Sequence, residues 1–141
     1  GMLTQTTTDF KGRYFKLEQA RCNPPPVQQP HPPICIGGNG ERRTFPNVVK
    51  WADHWNYAGF DLEGYVAKRD ELHRQCEKAG RDPAEIVTSI HQPVDVDDLG
   101  GLEAQAERFK EAGLDLMLLY LPPPHSPGVL EPLARLAERV G

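Results

Sequence analysis

The chain has 141 residues and a mass of 15.8 kDa, the size of one domain and short of the about 250 residues that a whole (β/α)8 barrel takes. The apolar (38%) and charged (26%) fractions are those of a globular protein, and a net charge of −4 with a pI near 5.7 excludes a nucleic-acid backbone binder, which needs a basic face. No apolar run approaches the roughly 18 residues of a membrane span, no apolar leader is present, and Cys22, Cys35 and Cys76 form no C-x-x-C, so a cytoplasmic protein with reduced thiols is expected.

Thr6 to Glu18 alternates around Lys11-Gly12, and Gly12 can take the positive φ of a tight turn, which predicts a β-hairpin. Six of the 14 prolines crowd into Pro24 to Pro33, so Arg21 to Pro33 reads as an extended connector that cannot be helical. From Ile34 onward the pattern is strand, loop, helix, repeated. Ile34-Cys35-Ile36 is a short apolar strand running into Gly37-Gly38-Asn39-Gly40. A helix starts near Thr44, because Pro46 is tolerated only in a first turn.

His54 to Ala58 is the second strand. Asp61 caps the helix that follows, and Gly80 ends it. Ile86 to Val94 is the third strand, followed by an acidic turn at Asp95, Asp97 and Asp98 and a helix with Leu102, Ala106, Phe109 and Ala112 along one stripe. Asp115 to Leu121 is nearly all apolar, as a covered parallel strand would be, and Pro122 to Pro127 leads into a last helix. Four such units predict an α/β fold with a parallel sheet and right-handed crossovers. Residues 1–33 form the hairpin and connector, and residues 34–141 form one domain.

Ligands of parallel α/β sheets bind beyond the carboxyl ends of the strands, which singles out the loops after Ile36, Ala58, Val94 and Leu121. In the first, Gly37 to Gly40 exposes backbone N–H groups just ahead of a helix N-terminus, the physical recipe for a phosphate, and Arg42 and Arg43 add charge. A glycine turn that serves only packing is the competing reading. The segment matches neither Walker A nor the dinucleotide fingerprint.

The run PPICIGGNGERRT, the helix to Trp51-Ala52-Asp53, the strand HWNYAG and the later GRDPAEI together resemble the C-terminal half of the luciferase-like flavin and deazaflavin oxidoreductases, the coenzyme F-420-dependent branch in particular. FKGRYFKLEQARCNPPPVQQPHPP is similar to the hairpin and connector that lead into the same strand. The resemblance implies a (β/α)8 barrel, with this chain supplying units five to eight as a half-barrel. It implies F-420 or FMN as cofactor, its ring over the barrel mouth and its phosphate between two loops. Gly37, Gly38, Asn39, Gly40 and Arg42 would lie on one side, and Asn56, Tyr57, Ala58 and Gly59 on the other. Hydride transfer is the cofactor's chemistry, and the protein supplies position and electrostatics. The sequence singles out no catalytic acid, base or nucleophile.

His91, near the end of the third strand, is a candidate substrate contact, weighed against a structural histidine. His73 and Cys76 stand one helical turn apart but have no further ligands at metal spacing, and the acidic turn lacks the glycine and closing glutamate of a calcium loop. Alternation sends Trp55 and Tyr57 to one face of their strand and Asn56 to the other. A half-barrel leaves two unpaired sheet edges and an apolar inner face, which a monomer is expected to avoid. The expected partner is therefore a second copy or a chain supplying the other half, alongside a small-molecule substrate. A non-catalytic half-barrel serving as an assembly subunit is the alternative reading.

Overall fold

The strand and helix units follow one another in the computed structural model, which describes residues 1–123 and 125–141. Pro124, inside the expected loop from Pro122 to Pro127, lies outside the described residues. The chain divides into two units, Gly1–Pro33 and Ile34–Gly141.

In the first unit, β1 (Thr8–Lys11) pairs antiparallel with β2 (Lys16–Ala20). The hairpin is present, but Gly12 does not take the positive φ expected of it. The connection is wider, closed by the Gly12 N–H donating to the Phe15 carbonyl at 2.9 Å. Positive φ falls instead on Gln19 (49°), whose backbone N–H and side-chain amide both donate to the Asp9 carboxylate, at 2.7 and 3.0 Å. Residues 21–33 contain neither helix nor strand.

The second unit is an α/β fold. Strands β3 (Cys35–Gly37), β4 (His54–Tyr57), β5 (Val87–Pro93) and β6 (Leu116–Tyr120) form a parallel sheet in chain order, with Gly37 opposite Asn56, Asn56 opposite Ser89, and Ser89 opposite Leu116. Helices α1 (Thr44–Trp51), α2 (Leu62–Ala79), α3 (Leu99–Glu111) and α4 (Leu130–Val140) alternate with the strands. All four helices pack on one face of the sheet, as consecutive crossovers of a single hand require.

That face receives Ile36, Trp55, Tyr57, Ile90 and Met117 from the sheet and Phe45, Val48, Tyr65, Leu72, Cys76 and Phe109 from the helices. A smaller cluster joins Val94, Leu102, Leu133 and Leu136 beside Leu119. Strand alternation sends Cys35, His54, Asn56, Val87, Ser89, His91, Leu116, Leu118 and Tyr120 to the opposite face.

The core is built around Trp55, which is fully buried. Phe45 meets it edge-on at 5.6 Å, Tyr65 stacks on it at 6.2 Å, and Tyr57 and Phe109 extend the cluster. Such contacts add about 0.5–1.5 kcal/mol per pair beyond the area they bury. Pro46 sits in the first turn of α1 as its chemistry requires. Asp61 caps α2 through the Gly64 N–H at 2.6 Å, and Gly80 closes that helix with φ 72°. Of the acidic turn, Asp98 caps α3 through Gly101 and Asp95 accepts the Asp97 N–H.

Arginines hold helix ends together. Arg81 donates to the carbonyls of Val48, Val49 and Ala52 at the C-terminus of α1, at 3.0, 2.9 and 2.6 Å. Arg69 reaches the Ala112 carbonyl after α3. Val48 already accepts the Ala52 N–H, so the Arg81 guanidinium adds a second donor there, satisfies the Val49 and Ala52 carbonyls, and complements the negative end of the helix dipole. Arg81→Met keeps the aliphatic packing and leaves the Val49 and Ala52 carbonyls without their donor, while Val48 keeps the Ala52 N–H. Charge-assisted bonds of this kind imply a loss of about 2 kcal/mol, read as a lower denaturant midpoint at unchanged slope.

Candidate functional site

The loops after β3 and β4 lie side by side at the carboxyl end of the sheet. Gly37 is the last residue of β3, and the Gly38 N–H extends the ladder by donating to the Asn56 carbonyl at 3.1 Å. Gly38 then takes φ 112°, a conformation open to glycine and costly for other residues. Its carbonyl accepts the Trp55 indole N–H at 2.9 Å, so the central ring of the core fixes this turn.

Asn39 joins the two loops. Its amide nitrogen donates to the Ala58 carbonyl at 3.0 Å, and its amide oxygen accepts the Ala58 N–H at 2.9 Å. The side chain therefore does the work of one more ladder step beyond the strand ends. Among the described residues, the N–H groups of Asn39, Gly40, Glu41 and Arg42 have no acceptor. Arg42 is exposed and makes no ion pair among them, whereas Glu41 is paired with Lys68 at 2.6 Å.

The start of α1 contributes less than its position suggested. The Gly40 carbonyl accepts from Arg43, Thr44 and Phe45, at 3.3, 2.7 and 3.1 Å, and Pro46 has no N–H. The donors that a helix N-terminus normally offers to an anion are thus used or missing. A phosphate received here would be met by the turn amides of residues 39–42 and the Arg42 guanidinium. This set fits a dianion by its donors and by the absence of side chains at Gly38 and Gly40.

On the neighbouring loop, Ala58 supplies its backbone to the clamp. Tyr57 contributes no side chain, since its ring is buried on the helical face and its hydroxyl donates to Asp61 at 3.0 Å. Burial and this carboxylate push the Tyr57 phenol up, while the Gly64 N–H and the Tyr57 hydroxyl hold Asp61 below its ordinary range. Gly59 is required small, because a Cβ there would lie 2.6 Å from the Tyr57 ring.

Asn56 and His91 project from the face that carries no helix. His91 stacks on Tyr120 with ring centroids 4.7 Å apart and planes 2° from parallel, which groups His91 with an exposed aromatic at the carboxyl ends of β5 and β6. His54 and Ser89 belong to the same face, and the sequence reading passed over both as site residues. His54 Nε2 lies 2.6 Å from Ser89 Oγ, and Asn56 Nδ2 donates to the same oxygen at 2.8 Å. The available signal was a polar residue at every inward position of β4 and at two successive ones of β5. His73 and Cys76 lie apart from all of this on α2, with Cys76 in the core.

Burial lowers the His54 pKa from its ordinary 6.5, His91 adds to the lowering, and Asp115 opposes it. A folded-state value below the unfolded one means that the unfolded chain takes up the proton first as pH falls. Stability due to neutral His54 is complete above pH 6.5 and is lost as pH falls toward the lowered value. His54→Gln is expected to show a smaller loss of stability than wild type between about pH 7.5 and about pH 5.5, measured by denaturant titration at each pH.

No helix among the described residues is long and apolar enough to cross a membrane. The profile of the luciferase-like monooxygenase family matches residues 1–120. An F420-dependent secondary alcohol dehydrogenase, solved with an F420-acetone adduct, superposes with a TM-score of 0.74 at 15% identity over 99% of this chain and 58% of its own. The coenzyme F420-dependent tetrahydromethanopterin reductase of Methanopyrus kandleri gives 0.72 at 10% identity over 94% and 58%. The long-chain alkane monooxygenase LadA gives 0.61 at 16% over 93% and 46%. In sequence, 81 residues are 27% identical to an FMNH(2)-dependent dimethylsulfone monooxygenase of Pseudomonas putida, covering 57% of this chain and 22% of that protein. The chain thus spans between 46% and 58% of the length of these solved structures and 22% of the curated relative, and with its profile match over residues 1–120 it belongs to the luciferase-like monooxygenase family.

Proposed function

We propose that this chain is the phosphate-binding half of a luciferase-like oxidoreductase that uses F-420 or FMN on a small-molecule substrate. In this reading the sheet is units five to eight of a (β/α)8 barrel, and the helix-free face is the barrel interior. Gly37, Gly38, Asn39, Gly40 and Arg42 receive the cofactor phosphate, and Asn56 to Gly59 form the adjoining wall. The relatives' cofactors support the flavin or deazaflavin class. The observation that carries the reading is the Asn39 clamp, which ties two loops into one surface beside four N–H groups without acceptors among the described residues. When bound, the cofactor would supply the redox chemistry, and this chain would hold its phosphate and shape the chamber. His91, backed by Tyr120, faces that chamber as a substrate contact.

Strands β3 and β6 each have one side without a partner strand among the described residues. Val87, Leu116 and Tyr120 are 42–55% exposed on the open face. Exposed edges and apolar surface of this kind are normally covered. The cover in this reading is a second copy of the chain or a chain carrying the remaining strands. A second function, an assembly subunit without cofactor, is favoured by one observation: the Gly40 carbonyl and Pro46 consume the donors at the start of α1.

Titration with FMN and F-420, followed by absorbance and fluorescence, separates the two. The cofactor reading expects saturable binding that Asn39→Ala weakens about tenfold, a change of about 1.4 kcal/mol. Riboflavin, which lacks the phosphate, should be indifferent to the same substitution. Equal FMN affinity in wild type and variant would refute the phosphate site. Absence of any binding, together with self-association in sedimentation, is the result expected of the assembly subunit. A well-folded monomer at micromolar concentration would count against the pairing of half-barrels.

A further inference from the structure

Asn56 stands where the loop site meets the open face of the sheet. Its backbone carbonyl receives the Gly38 N–H, so it directly adjoins the turn described above. Its side chain leaves on the face opposite the aromatic core, beside Ser89 of β5. Ser89 is fully buried and holds two neighbours with one hydroxyl: it accepts from Asn56 Nδ2 at 2.8 Å and lies 2.6 Å from His54 Nε2. A serine hydroxyl has one proton. Ser89 Oγ has no further hydrogen-bond partner among the described residues, so its proton meets an acceptor only at His54 Nε2, with His54 neutral and its own proton on Nδ1. The amide of Asn56 is thereby fixed with its nitrogen toward β5. Its oxygen is left as an acceptor without a partner among the described residues.

We propose that Ser89 and His54 are positioning residues that aim the Asn56 amide oxygen into the open face as an acceptor for the N–H edge of a planar heteroaromatic ring, such as the imide edge of a flavin or deazaflavin. This rests on the reading that the adjoining loops anchor the phosphate of the same ligand. It assigns the Asn56 side chain to the ring rather than to the phosphate. Neutral His54 is needed as the acceptor of the serine proton. Protonated His54 would donate to Ser89 Oγ and leave the hydroxyl proton without its acceptor, loosening the amide. The groups that face His54 and set its charge are Asp115 after α3 and His91 on β5, with the Cys35 thiol opposite on β3.

Riboflavin tests this without interference from a titrating phosphate, with FMN as the second probe. Fluorescence titrations would compare wild type with Asn56→Ala, Ser89→Ala, Ser89→Thr, His54→Gln and the double variant Asn56→Ala/Ser89→Ala. Loss of one hydrogen bond corresponds to about fivefold in affinity. Asn56→Ala and Ser89→Ala should each weaken both probes by about that factor, and the double variant should be no weaker than either single one, the signature of groups acting as a unit. Ser89→Thr, which keeps the hydroxyl, should restore binding. Riboflavin affinity in wild type should fall as pH drops through the lowered His54 value, which lies below the ordinary 6.5, and be flat in His54→Gln.

Additive losses, or riboflavin binding unchanged by Asn56→Ala and Ser89→Ala in folded protein, would overturn the proposal. Far-UV circular dichroism separates these outcomes from unfolding. The phosphate reading fails separately, when Asn39→Ala leaves FMN binding untouched while Asn56→Ala reduces it. A wild type that binds neither probe overturns both.

Discussion

The indole of Trp55 is the point through which the core governs the surface of this protein. Its ring is enclosed by Phe45, Tyr57 and Tyr65, so its burial needs α1 and α2 seated on the sheet. Its one polar group must still find an acceptor, and the acceptor is the carbonyl of Gly38. The requirement to satisfy a single N–H in an apolar cluster therefore specifies where the strand-end turn lies. The left-handed backbone at Gly38 places that carbonyl while sending the following residues over to the Ala58 loop. Packing and site geometry are here one constraint, because the turn cannot relax without stranding the indole.

Elements were legible because each carries its own chemistry along the chain. Pro46 dates the start of α1, Asp61 and Gly80 bracket α2, and the apolar run from Leu116 marks a strand, although it is covered on the helical face only, with Leu116 and Tyr120 exposed on the other. The partition of β4 into Trp55 and Tyr57 on one side and Asn56 on the other followed from alternation alone. What stayed hidden depends on register between strands distant in sequence. Nothing local says that Ser89 lies opposite Asn56 and within reach of His54, 35 residues earlier. The Asn39 clamp was hidden for the same reason, since its partner is 19 residues away. Gly12 misled because a wide four-residue connection does not need the positive φ of a two-residue turn.

The two faces of the sheet follow different rules. The helical face is a largely apolar interior in which Tyr65 pairs with Thr88 and the Gly113 carbonyl, and Thr88 in turn with Asp115, while the buried Gln92 Oε1 has no partner among the described residues. The opposite face mixes Cys35, His54, Asn56, Ser89 and His91 with Val87, Leu116, Leu118 and Tyr120. Such a mixture is poorly suited to close packing and well suited to a lined chamber. A side chain on this face is constrained by hydrogen bonds rather than by volume, so its tolerance to substitution should follow the pairing of polar atoms more than side-chain size.

The clamp also sets a chemical lifetime. Asn39 is followed by Gly40, and an asparagine whose next residue has no side chain is the sequence most open to attack of the following backbone nitrogen on the side-chain amide, with loss of ammonia. Gly40 keeps that nitrogen free of any acceptor among the described residues. Aspartate at this position could still accept the Ala58 N–H but would turn a negative oxygen toward the Ala58 carbonyl, where a donor now sits. The bond pattern that joins the loops is therefore available only to an amide. Slow ageing of one residue would convert the ladder-like join into a repulsion at the rim of the site.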